Sequence, residues 1–166
     1  FSKKAYSLIM SNMKSLLKGR GNLNNWMNMQ WAAVYAMFAL SNSTSGPSGA
    51  LSYYLGTNFK VNHGMAGAVF IGQICKYNHD NGYYDLSELY EGRKNTLNRE
   101  QKSALVVQEI DHLIELANMP ENLRGFGVKE TDLEGFNEFA RNAKVAMDYN
   151  PVKIDPARIA ELFVAI

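Results

Sequence analysis

The stretch LSYYLGTNFKVNHGMAGAVFIGQ, from Leu51 to Gln73, contains the break between two apolar segments that decides how the chain folds. A short helix is predicted over Ala50 to Leu55, followed by a turn through Gly56 to Asn58. Asn62 can cap a second helix, over His63 to about Tyr77, because its side chain can accept a hydrogen bond from a free backbone N–H group. The stretch therefore predicts two helices joined by a polar turn.

Helical spacing of apolar residues continues on both sides of this stretch. It predicts helices over 3–18, 23–41 and 104–117. The helix over 23–41 is apolar almost all round toward its end, so we expect it to lie in the centre of a bundle. A strand is suggested only over 59–61, which is too short.

Helix starts are marked by short polar patterns. Asp85 with Glu88, Asn98 with Gln101, and Thr131 with Glu134 have the spacing of a capping box. Asp155-Pro156 is typical of the start of a last helix. The sequence thus predicts an all-α fold, a multi-helix bundle of about seven helices forming a single domain over 1–166.

Composition excludes several function classes. The formal net charge is +1, with 17 basic and 16 acidic residues, so nucleic acid is not an expected partner. The longest apolar run, Trp31 to Leu40, is shorter than the roughly 20 residues that a membrane span needs. Cys75 is the only cysteine, which predicts a buried apolar side chain and a cytoplasmic location. The first residues lack a signal peptide's apolar centre and an initiator methionine, so we expect part of a longer protein.

Few residues could carry chemistry. No Gly-rich phosphate loop, HExxH, CxxC or GxSxG pattern occurs. His63 starts a helix, whose dipole disfavours a charged imidazole, and the neutral form can bind a divalent metal; a structural role and a ligand role both remain open. His79 is predicted in a solvated loop beside Asp80, and His112 at the surface. Tyr53 is either a packing residue with a wet hydroxyl or part of a site.

Three segments carry a family resemblance: SNSTSGPSGALSYYLGTNFKVNHGMAGAVFIGQICKYN over 41–78, MPENLRGFGVKETDLEGF over 119–136 and NPVKIDPARIAELFVAI over 150–166. Together they resemble the C-terminal helical domain of the iron-containing alcohol dehydrogenases, within the dehydroquinate synthase-like superfamily. The matching positions in the first segment are Ser41-Asn42, Leu55-Gly56, His63-Gly64, Ala66, Ala68 and Asn78.

The resemblance implies a parent protein in which a nucleotide-binding α/β domain precedes residue 1 and a metal lies between the two halves. It implies NAD or NADP as cofactor and a divalent metal, iron or zinc. It also implies that the metal takes an Asp and a His from a segment just upstream of residue 1 and then two further histidines, one of which matches His63. A second histidine ligand falls at Gly49, which has no side chain to ligate, and a histidine near the reacting centre falls at Tyr53. The resemblance places Leu40, Gly49 and Tyr53 in the substrate pocket, with the Tyr53 hydroxyl as a catalytic group.

Two functions follow. The first is part of an NAD(P)-dependent alcohol or aldehyde oxidoreductase that acts on a small alcohol or aldehyde, with the helical domain forming one wall of the metal and substrate cleft. The second is a non-catalytic helical module, for binding or association, that has lost the metal site. A homodimer is expected as a possible assembly, and the isolated domain is expected to be inactive.

Overall fold

The computed structural model describes residues 1–92, 96–120 and 122–164, and over these ranges it contains helices and no strand. Within these ranges eight α-helices follow one another: α1 Ser2–Leu17, α2 Leu23–Leu40, α3 Gly46–Phe59, α4 His63–Asp80, α5 Arg99–Leu116, α6 Leu133–Asn142, α7 Lys144–Asp148 and α8 Ile159–Phe163. Short 3-10 helices lie at Asp85–Leu89, Leu123–Phe126, Glu130–Asp132 and Pro156–Arg158. The predicted all-α fold is confirmed.

The chain forms two compact units. The first consists of Phe1–Thr44 and Gly82–Asn118, and the second of Ser45–Asn81 and Met119–Ile166. The single domain over 1–166 stays a prediction. Within the described ranges, no helix is both long and apolar enough to cross a bilayer.

In the first unit, α1 packs against α2 through a buried polar cluster. Asn12 is 5% exposed. Its Oδ1 accepts hydrogen bonds from the Nδ2 atoms of Asn25 (2.9 Å) and Asn28 (3.1 Å). Its own Nδ2 donates to the carbonyl of Leu8 at 2.7 Å. Because an unpaired buried amide is costly, this cluster favours one register of α1 on α2.

The prediction that α2 lies at the centre of a bundle is wrong. Ala32 is the only buried residue of this helix, all of which the structure describes. Large apolar side chains are exposed along it, among them Trp26, Trp31, Met37 and Phe38. Apolarity all round a helix does not determine how many neighbours it has. Within its unit, α2 packs mainly against α1, which covers one stripe of its surface.

The second unit has a continuous apolar core. Its fully buried side chains come from α3, α4, α6, α7, α8 and the intervening loops: Leu51, Leu55, Phe70, Leu123, Phe136, Met147, Ile159 and Phe163. Tyr54 packs edge-on against Phe136, with ring centroids 4.5 Å apart, and lies 5.1 Å from the Phe139 ring. Burial raises the pKa of Tyr54, and the nearby carboxylates of Asp132 and Glu138 raise it further.

Three helix starts were predicted correctly from local sequence patterns. Asn62 accepts a hydrogen bond from the Gly64 N–H at 3.0 Å, as predicted, and Asn98 forms the predicted capping box with Gln101. Asp155 caps the 3-10 turn that leads into α8, with its Oδ1 accepting from the Ala157 N–H at 2.9 Å. These three starts are confirmed.

Two predicted capping boxes are wrong. The Thr131–Glu134 pattern is displaced because Asp132 bonds back to the Lys129 N–H at 2.8 Å and closes a 3-10 turn before α6. Glu134 instead accepts a hydrogen bond from Arg141 at 2.5 Å. Asp85 starts only a 3-10 turn and pairs with Arg99. In each case, a carboxylate of the predicted box pairs with an arginine side chain instead of capping a helix.

Two helical glycines provide a matched test of packing in the second unit. A Cβ at Gly135 would overlap the Tyr54 hydroxyl oxygen and lie 3.2 Å from Cζ, whereas a Cβ at Gly67 would meet nothing within 4 Å. Gly135→Ala should lower the free energy of unfolding by about 1–3 kcal/mol, because Tyr54 is held by two aromatic rings and cannot swing away. Gly67→Ala should raise it by about 0.5–1 kcal/mol through reduced backbone entropy of the unfolded chain.

Denaturant unfolding of both variants checks this pair. Gly135→Ala in a Tyr54→Phe background should recover part of the loss, because the overlapping oxygen is then gone. Equal effects of the two alanines would contradict the packing described for Tyr54.

Candidate functional site

The junction of α3 and α4 brings three side chains together, which we call the His63 cluster: Ser52, Tyr53 and His63. His63 Nδ1 lies 3.3 Å from Ser52 Oγ. The Tyr53 and His63 rings are tilted by 38°, with their centroids 4.9 Å apart. Ser52 is 1% exposed and Tyr53 is 64% exposed, and His63 is also exposed. The cluster thus joins a buried hydroxyl to an exposed imidazole and an exposed phenol.

Local sequence explains how α3 presents this cluster. Leu51 and Leu55 are four residues apart and point one face of α3 into the core, where both are fully buried. Tyr53 lies about 200° round the helix from Leu51 and therefore faces outward. Ser52 follows Leu51 and stays on the buried side.

The turn between the helices places His63. Lys60 ends α3 in the left-handed conformation, with φ 59°, so that the chain reverses direction. As its short length predicted, 59–61 forms no strand: Phe59 ends α3 and the turn follows. Asn62 then caps α4, and His63 is its first residue. The prediction that His63 starts a helix is confirmed, and its role as a metal ligand stays a prediction.

Ser52 was missed by the sequence analysis. Its Oγ donates to the Gly49 carbonyl at 2.7 Å and also contacts His63, eleven residues away along the chain. The only sequence signal was a small hydroxyl residue next to Leu51 on the buried side of a helix. That signal does not indicate a partner, because the approach of α4 decides which side chain meets the hydroxyl.

The other two predicted pocket residues, Gly49 and Leu40, lie in different units of the chain. Gly49 lies in α3, one turn before Tyr53, and an added Cβ there would overlap the Oγ and Cβ of Ser45. Leu40 ends α2 in the first unit and is 40% exposed. Its place in a substrate pocket stays a prediction, as does that of Gly49 and Tyr53.

The remaining histidines lie away from this cluster. His79 lies in the last turn of α4 rather than in the predicted loop, because α4 continues to Asp80. Lys76 pairs with Asp80 at 2.8 Å. His112 lies on the surface, as predicted, with Nδ1 3.6 Å from Glu115 Oε2. Cys75 is buried in α4, also as predicted.

This chain by itself does not supply a complete set of ligands for a divalent metal. Structural and catalytic zinc sites use three or four protein ligands. Of the positions that the resemblance implies, His63 supplies one nitrogen and Gly49 supplies none, and the Ser45 side chain occupies the space that a side chain at position 49 would need. Across ranges 1–92, 96–120 and 122–164, no group of three or more His, Cys, Asp or Glu side chains could hold an ion.

The overlap at Gly49 generates a stability test. Gly49→Ala should lower the free energy of unfolding by about 1–3 kcal/mol, although alanine normally favours a helix, because the added carbon collides with Ser45. In a Ser45→Gly background the same substitution should be neutral or stabilising. Denaturant unfolding of the two single variants and the double variant gives the coupling energy, and additive effects would show that Ser45 does not fill this space.

Comparison with known proteins identifies the fold. Residues 1–166 match the Fe-containing alcohol dehydrogenase family, C-terminal. The chain is 29% identical over 162 residues to 1,3-propanediol dehydrogenase of Citrobacter freundii, covering 96% of this chain and 42% of that protein. It is 23% identical to long-chain-alcohol dehydrogenase 1 of Geobacillus thermodenitrificans, covering 97% and 42%.

Solved structures give the same result. A crystal structure of 1,3-propanediol oxidoreductase superposes with a TM-score of 0.82 at 27% identity, covering 97% of this chain and 43% of that chain. The present chain thus spans about two fifths of the length of the proteins it matches. It belongs to the Fe-containing alcohol dehydrogenase family and corresponds to the family's C-terminal part.

Proposed function

We propose that this chain is the C-terminal helical part of an NAD(P)-dependent alcohol or aldehyde oxidoreductase, and that the His63 cluster lies on one wall of its substrate cleft. The observation that carries the proposal is the junction of α3 and α4 in a chain of this family. There an exposed phenol and an exposed imidazole lie side by side next to the buried core of the second unit. One relative is named for 1,3-propanediol and another for long-chain alcohols, so alcohols and the corresponding aldehydes are the first substrates to test.

The residues of this chain would bind and orient the substrate. The Tyr53 hydroxyl can donate a hydrogen bond to a substrate oxygen, and the His63 ring can present a nitrogen to the same group. A nicotinamide cofactor would supply or accept the hydride. The sequence contains no Gly-rich phosphate loop, so the cofactor's phosphates would be held by residues outside this chain.

Within this chain, the group that can polarise a substrate oxygen is the Tyr53 hydroxyl, which is 64% exposed and adjacent to His63. Proton donation from a positioned side chain contributes typically about 10²–10⁴-fold to a rate. That range sets the size of the effect expected from losing the hydroxyl.

The non-catalytic module remains the second candidate. It is favoured by the closed space at Gly49 and by the exposed apolar side chains of α2, which would suit association. The two candidates differ in turnover, since only the first oxidises or reduces a substrate.

Turnover by the native protein that carries this chain tests the proposal. We expect nicotinamide-dependent oxidation of 1,3-propanediol or of another primary alcohol, or reduction of the corresponding aldehyde. Tyr53→Phe should lower kcat by about 10²-fold, because it removes only the hydroxyl. Tyr149→Phe is the matched control, since Tyr149 is equally exposed (63%) and lies outside the cluster; it should retain full activity.

Absence of turnover with NAD and NADP, across short-chain and long-chain alcohols and aldehydes, would favour the module. Turnover that Tyr53→Phe leaves intact would keep the enzyme and remove Tyr53 from its mechanism.

A further inference from the structure

One side of α2 carries a row of large apolar side chains that are exposed. Leu23, Met27, Trp31, Val34 and Phe38 follow one another at spacings of three or four residues, so they share one side of the helix. Each of them is between 39% and 74% exposed. We call these five residues the α2 stripe.

The α2 stripe lies opposite the side of the helix that packs on α1. Ala32, which is 1% exposed, lies about 200° round the helix from Val34. Asn25 and Asn28, whose side chains donate to Asn12 of α1, lie on the same side as Ala32. The contact with α1 therefore holds α2 with the stripe facing away from α1.

The residue types on α2 restrict what can cover the stripe. The helix contains no Asp, Glu, Lys or Arg, so a charged segment would lose its hydration there without gaining an ion pair. Apolar side chains at this spacing are typical of a helix face that packs along another segment. The stripe therefore has the properties of an interaction surface for an apolar segment.

Phe1 lies at the edge of the α2 stripe. Its ring centroid is 5.3 Å from that of Phe38 and 6.3 Å from that of Tyr35. The chain corresponds to the family's C-terminal part and covers 42% of 1,3-propanediol dehydrogenase of Citrobacter freundii, so more than half of that relative lies outside the matched part. Polypeptide that precedes Phe1 would start beside the stripe.

A segment attached at Phe1 can reach along the whole stripe. The helix rises by about 22 Å from Leu23 to Phe38, and about seven extended residues cover that distance. A tethered segment has an effective concentration of about millimolar at its docking surface. It therefore has an advantage over a second copy of the chain that is free in solution.

We propose that the α2 stripe is the docking surface for an apolar segment of the same polypeptide that precedes Phe1. The proposal rests on the proposed function in one respect, that this chain is the C-terminal part of a longer protein, and it does not depend on the reaction. A second copy of the chain and a separate partner protein are the alternative occupants, which the experiment distinguishes.

Photocrosslinking in the native protein that carries this chain identifies the occupant. The photoreactive residue p-benzoylphenylalanine replaces either Trp31, in the middle of the stripe, or Tyr149, a control in the second unit that is 63% exposed. We expect irradiation of the first variant to join position 31, within one polypeptide, to a peptide that precedes Phe1, as mapped by mass spectrometry. The probe at position 149 should not form this crosslink.

Four results would overturn the proposal: a crosslink from position 31 to a second polypeptide, crosslinks only to residues within 1–166, no crosslink to protein, or the same upstream crosslink from both positions. A crosslink between two polypeptides would instead identify α2 as a surface for association.

A matched pair of lysine substitutions tests the same surface by stability. Val34→Lys should lower the Tm of the native protein, because the docked segment would bury the new charge. Val145→Lys on α7 should leave the Tm unchanged, since Val145 is 71% exposed and lies outside the stripe. Equal Tm values for the two variants would contradict a covered stripe.

Methionine oxidation requires no substitution and so remains informative if a variant fails to fold. In the native protein, hydrogen peroxide should oxidise Met27 of the stripe as slowly as Met147, which is 1% exposed. Oxidation of Met27 at the rate measured after unfolding would show that the stripe is open to solvent and would overturn the proposal.

These measurements are independent of turnover, which separates this inference from the proposed function. A native protein that forms the upstream crosslink but has no turnover would overturn the proposed reaction and support the docking surface. A native protein that turns over alcohols but forms no such crosslink would overturn the docking surface and support the reaction.

Discussion

The burial of Leu51 and Leu55 on α3 against Ala66 and Phe70 on α4 is the constraint on which the candidate site depends. Full burial of a Leu or Phe side chain contributes about 1.5–3 kcal/mol, whereas a single hydrogen bond contributes about 0.5–1.5 kcal/mol. The apolar contacts therefore decide which side of α3 faces α4, and the contact between Ser52 and His63 is a consequence.

The turn between α3 and α4 places His63 at the surface, next to the packed helices. Lys60 takes a left-handed conformation, and the Asn62 side chain satisfies the Gly64 N–H, so α4 begins at His63. The imidazole of this first helical residue is exposed. Tyr53, on the outer side of α3, meets it there.

Fold and ligand chemistry separate in this chain. The helical arrangement of this chain, over 97% of its residues, matches part of a 1,3-propanediol oxidoreductase. The resemblance predicts a second histidine ligand at position 49, which is a glycine in this chain, and Ser45 fills the space beside it. Packing of many apolar residues maintains a fold, whereas a ligand set depends on single side chains, so one substitution can remove a donor without disturbing the core.

The sequence by itself determined the features that depend on neighbours in the chain: the all-α class, the caps at Asn62, Asn98 and Asp155, and the start of a helix at His63. Hydrogen bonds between residues two or three positions apart produce these features, so their spacing is visible in the sequence. Only the tertiary structure decided that α2 packs mainly on α1 and that Ser52 contacts His63. These outcomes depend on which surfaces approach one another across the fold, and spacing along the chain carries no record of that approach.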